Sequence, residues 1–102
     1  MTSQGSAHGR FQRALVRGQF DEAEMAAREM GRLSLMDALS LVVGYARVGS
    51  PTFEAAAVRW LARLALEGRD VQLAETQLAT AALACLRGRK HDRAERTLLR
   101  LL

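Results

Sequence analysis

The chain has 102 residues, 49% of them apolar and 25% charged, with a formal net charge of +4 from 15 Lys+Arg against 11 Asp+Glu. That length holds one domain, and that composition is close to the average of soluble globular chains, which argues against disorder throughout. One Cys and two His rule out an internal disulfide framework and a closed structural zinc site, and no run of 18 apolar residues is present to span a membrane.

The commonest residues are 18 Ala, 16 Leu and 14 Arg, all strong helix formers. Strand-type runs of β-branched and aromatic residues are missing apart from Val42-Val43. The expectation is an all-α domain of about six antiparallel helices arranged as stacked helical hairpins, either as a compact bundle or as a short array. Residues 1 to about 10 are polar and rich in Gly and Ser, and read as a disordered N-terminal tail ahead of a single helical domain over 11–102. The tail has no apolar core and does not read as a signal peptide. With a single Cys, the expected setting is reducing and cytoplasmic.

Gly18, Gly31, Gly49, Gly68 and Gly88 punctuate the rest, each placed where a left-handed helix cap or a turn is needed. The first helix runs from about Phe11 to Arg17. The second covers Phe20 to Met30, with Phe20, Ala23, Ala27 and Met30 facing inward. Its Asp21 and Glu22 match the helix dipole, and Glu24 and Arg28 are spaced for an i, i+4 ion pair. The third begins at the N-cap Ser34, with Asp37 three residues on in capping-box position, and ends near Val48-Gly49. Leu35, Leu39, Val42, Val43 and Ala46 form its buried face, and Asp37, Ser40, Gly44 and Arg47 its polar face. The fourth starts with Ser50 as N-cap and Pro51 at the first helical position. Its apolar stripe is Phe53, Ala56, Ala57, Trp60, Leu61 and Leu64. The fifth runs from Asp70 to about Leu86, and Leu78 to Leu86 contains a single polar residue, Thr80. A helix apolar on nearly all sides is normally surrounded by others, so this one is expected at the centre. The sixth runs from about Asp92 to the C-terminus, with Ala94, Leu98 and Leu101 on one stripe and Arg93, Arg96 and Arg100 on another.

Four turns share a phrase. Gly18 leads to Ala23-Glu24, Gly49 to Ala55, Gly68 to Ala74-Glu75, and Gly88 to Ala94-Glu95. A small residue one turn into the second helix lets a helix pair cross closely. Arg17-Gly18-Gln19-Phe20-Asp21-Glu22-Ala23-Glu24 resembles the turn and second-helix start of a tetratricopeptide repeat, which favours a Gly, an aromatic residue two positions later, an acidic pair and an Ala. The resemblance is confined to Arg17–Met30. It implies stacked helical hairpins in a short tetratricopeptide-like array, and carries over no ligand-clamping positions.

Phosphate-binding Gly loops and the common hydrolase and zinc-protease motifs are absent. Cys85 lies in the apolar fifth helix and reads as a small core residue; a nucleophilic role needs a base, and His91 beside Arg89, Lys90 and Arg93 is the one candidate. Trp60, with Tyr45 and Phe53, reads as a core anchor, with a ligand groove as the alternative. His8 falls in the tail and is assigned no role. No catalytic residue, cofactor, metal or small-molecule substrate is indicated.

Two surfaces remain. From Arg87 to Arg100, six cations stand against Asp92 and Glu95. A solvated face is the plainer account, and phosphate binding through Arg87, Arg89, Lys90, Arg93, Arg96 and Arg100 the alternative. At the C-terminus, Leu98 and Leu101 can face the domain while Leu99 and Leu102 form a second stripe, which points to a partner surface. The expected function is therefore a non-enzymatic helical scaffold or adaptor that binds another protein or a second copy of itself, with a nucleic-acid-binding module as the alternative and no membrane role.

Overall fold

The computed structural model describes residues 6–102. They form six α-helices, with no strand among the described residues: α1 (Ala7–Arg17), α2 (Phe20–Met30), α3 (Leu35–Arg47), α4 (Phe53–Glu67), α5 (Leu73–Cys85) and α6 (His91–Arg100). The helices pair in chain order as hairpins α1/α2, α3/α4 and α5/α6, with α2 against α3 and α4 against α5, in a body of 46 × 29 × 20 Å. The all-α hairpin architecture expected from the sequence is present.

Helix ends follow local chemistry, with three corrections. The tail expected over residues 1–10 lies outside the described residues at 1–5, and from Ala7 onward it is helix. The Ser6 hydroxyl accepts from the Gly9 N–H at 2.9 Å, and the new turn is tied down by Arg10–Glu29 at 2.7 Å. His8 joins it, its ring 3.3 Å from the Asp37 carboxylate. The second correction is α4, which starts at Phe53 rather than Pro51: the Ser50 hydroxyl accepts from Thr52 N–H at 3.1 Å, closing a turn before the helix begins. The third concerns the glycines. Gly18 and Gly49 cap α1 and α3 in the left-handed region, as expected, and Gln19 and Ser50 N–H reach back to Ala14 and Tyr45 carbonyls. Gly68 is extended instead, and Asp70 takes the positive φ of that turn, which delays α5 to Leu73.

At α3 the Ser34 hydroxyl accepts from the Asp37 N–H at 3.0 Å. The carboxylate does not return the bond, because it accepts from Gln12 at 3.2 Å. Three contacts then fasten the α2–α3 connection to α4. Trp60 Nε1–H donates to the Leu35 carbonyl at 2.8 Å. Arg63 donates to the Leu33 carbonyl at 2.8 Å, and Glu67 receives both Arg63 and Arg32 at 2.8 Å. The Arg63 hydrogen bond holds the Glu67 carboxyl down at about 2.

Two apolar cores meet on α3. One holds Leu39, Val42, Val43 and Ala46 of α3 with Phe53, Trp60 and Leu64 of α4, Ala79, Ala82 and Leu83 of α5, and Ala94 and Leu98 of α6. The other holds Phe11, Ala14, Ala23, Ala26 and Ala27 of the first hairpin with Leu41 of α3. The central helix is thus α3, not α5. Gly44, expected on its polar face, is buried, and a Cβ there would overlap the Phe20 ring. The shared turn phrase is also resolved: Ala23 and Ala94 are buried inside hairpins, but Ala55 and Ala74 are exposed.

Gly44→Ala is expected to lower stability by about 1–2 kcal/mol, because forcing the Phe20 ring aside outweighs the gain of about 1 kcal/mol in helix propensity. Urea unfolding measures it. Shortening the ring in Gly44→Ala/Phe20→Leu restores part of the loss, and a stabilised single variant contradicts the packing argument.

Candidate interaction surface

Residues 76–86 carry no charge, and α5 begins where Gln72 N–H donates to the Glu75 carboxylate at 2.9 Å. The helix buries Ala79, Ala82 and Leu83 against α4 and α6, and Leu86 follows them. Its other side is open. Leu73 is 74% and Leu78 49% exposed, and Ala74, Ala81, Ala84 and Cys85 are exposed with them. The physical reason for the correction is the alanines. They raise the apolar count of the segment, but each methyl hides little area, and Ala serves an exposed helix through its propensity.

The open side continues onto α4. A shallow groove of about 260 Å³ runs between the two helices, floored by Ala57, Leu61 and Leu83 and edged by Val58 and Ala84. Arg87 closes one end, its guanidinium 4.8 Å from the Phe53 ring centroid and 3.9 Å from Glu54. Leu66 of α4, 87% exposed, lies outside the groove.

The residues singled out in the sequence fall into two places. Leu98 is fully buried and Leu101 half-buried against the main core, which leaves Leu99 and Leu102 at 42% and 44% exposure. Arg93, Arg96 and Arg100 share an exposed stripe of α6, and Arg89 and Lys90 stand in the preceding turn. None of these five cations has a carboxylate partner among the ion pairs of the described residues, because Glu95 pairs with Arg47 at 3.0 Å and Asp92 with His91 at 3.1 Å. Arg87 does not join them, being drawn to α4. Trp60 is a core anchor, 2% exposed.

Cys85 is exposed, against the expectation of a core residue. Sequence reading missed the open face of α5 because periodicity cannot separate a buried Ala-rich helix from an edge helix. The absence of any charge between Thr76 and Leu86 was its one visible sign. Among the described residues, no group of three or more His, Cys, Asp or Glu side chains stands close enough to hold a metal ion, and no helix is long and apolar enough to cross a membrane.

Cys85 is expected to react with a maleimide in the folded protein without denaturant, within about tenfold of the rate in urea. Protection that disappears only on unfolding contradicts its placement on the open face, unless dilution restores reactivity and so shows that a second copy covers it.

Comparison with protein-family models, with curated proteins and with solved structures returned no match.

Proposed function

We propose that this protein is a non-enzymatic helical scaffold that works through protein–protein interaction, with a second copy of the chain as one partner. The observation that carries the reading is α5, which has no charged residue after Glu75 and is covered on one side only. The open side of α5 carries Leu73 and Leu78, and the end of the chain carries Leu99 and Leu102, four exposed leucines in all. Each leucine brought to full burial contributes about 1.5–3 kcal/mol, and association costs about 4–15 kcal/mol. Four partly exposed leucines therefore support weak contact that shows only at high protein concentration. The tetratricopeptide resemblance of Arg17–Met30 supports the same reading, because arrays of that kind present helix faces rather than reaction centres. Light scattering across micromolar to millimolar concentration tests it. The expected result is a mass above 11.2 kDa that falls to the monomer value in Leu73→Glu/Leu78→Glu or in Leu99→Glu/Leu102→Glu. A wild type that stays monomeric throughout removes the second copy as partner.

One observation favours a second reading: the five cations of α6 and its turn that lack carboxylate partners. They suit a phosphate backbone, with Arg93, Arg96 and Arg100 about one helical turn apart. Fluorescence anisotropy on a DNA duplex is then expected to show binding that weakens steeply with salt. Replacing one of the three by Ser lowers the slope of log K against log salt by about 1. No binding at about 50 mM salt dismisses this reading.

A further inference from the structure

A cleft of about 420 Å³ opens between α3 and α4, away from the surfaces above. Its volume falls within the range of small-molecule sites, and it is as open to solvent as the α4–α5 groove. Leu41, Val42 and Trp60 form the floor and are at most 8% exposed. Leu33 and Tyr45 stand at its two ends, and Arg59 and Arg63 on its rim. Along α3 the floor runs from Ala38 to Tyr45, about 10 Å of helix rise.

The two guanidiniums differ. Arg63 is committed to the Leu33 carbonyl and to Glu67. Arg59 is exposed and has no carboxylate partner among the ion pairs of the described residues. Burial and the Glu24 carboxylate push the Tyr45 phenol up to about 12, with Arg28 and Arg59 acting weakly in the opposite direction. One end of the cleft thus holds Arg59, without a carboxylate partner among the ion pairs of the described residues, beside a neutral phenol, while the nearby Glu24 is paired with Arg28 and the remaining lining is apolar apart from the committed Arg63.

We propose that this cleft binds an alkyl monocarboxylate, the carboxylate on Arg59 and the chain along Leu41 and Val42 towards Leu33. Charge complementarity selects an anion, and the apolar floor selects a hydrocarbon body over phosphate or a sugar. The short run between Leu33 and Tyr45 suits a single chain. No sequence motif announces the site, and it stands independently of the scaffold reading.

The test uses decanoate below its aggregation concentration. The protein has one Trp, so Trp60 emission reports on the cleft, and amide NMR shifts locate the binding. The expected result is a saturable change with shifts at Ala38, Leu41, Tyr45 and Arg59. Decanol, the same chain without the charge, binds several-fold more weakly. Arg59→Gln, an exposed position, keeps the helical circular dichroism and weakens decanoate about tenfold, the effect of losing one charge-assisted contact. Arg13→Gln, on α1, leaves binding unchanged. The proposal is overturned by no saturable change, by equal binding of decanol and decanoate, or by equal loss in the Arg13 and Arg59 variants. Shifts confined to the α4–α5 groove overturn it as well.

Discussion

The Phe20 ring lies against the α3 backbone at Gly44, and that contact closes the first hairpin onto the rest of the molecule. It needs a position without a side chain, in the middle of a helix, where glycine costs about 1 kcal/mol relative to alanine. The cost is met because α3 is buried on opposite sides. Leu41 belongs to the core of the first hairpin, and Leu39, Val42, Val43 and Ala46 to the core shared with α4, α5 and α6. Tyr45 packs against both. α3 is thus the common wall of the two cores.

The polar contacts fall where this arrangement would otherwise slip. The hydrogen bonds of Trp60 and Arg63 to Leu35 and Leu33 fix the entry of α3 against α4. Glu67 gathers Arg32 and Arg63 at the same corner. Arg47–Glu95 ties α3 to α6, and Arg10–Glu29 ties α1 to α2. These pairs stand at or near the surface and are of modest individual worth. The same corner spends Arg63 internally and leaves Arg59 available, which gives the α3–α4 cleft its chemical character.

The other side of the molecule follows from what α3 takes. Once α3 occupies the centre, α5 has only α4 and α6 to pack against, and half its circumference faces outward. Its alanines make that tolerable for a single chain, while Leu73 and Leu78 leave larger apolar side chains in solvent. The outcome is an uncharged, weakly apolar face on α5 and, on α6, a stripe of arginines without carboxylate partners among the ion pairs of the described residues.

The amino-acid order by itself determined the helices, their number and much of their boundaries. Gly18 and Gly49 end helices because no other residue adopts a left-handed cap as cheaply, and Ser34 begins one because its hydroxyl satisfies a free N–H. The inward stripes of α4 and α6 were equally readable, since Phe53, Trp60, Leu64, Ala94 and Leu98 leave a single consistent face. Only the tertiary structure decided which helix is central. Periodicity reports how many sides of a helix are apolar, but burial depends on how many neighbours are present and how bulky the side chains are. The Leu41–Ala46 segment offers large side chains on both sides and a glycine for close approach, while the alanines of α5 offer little area to bury. The cleft beside Tyr45 and Trp60 was decided at the same level, because its residues come from two helices whose crossing no local pattern encodes.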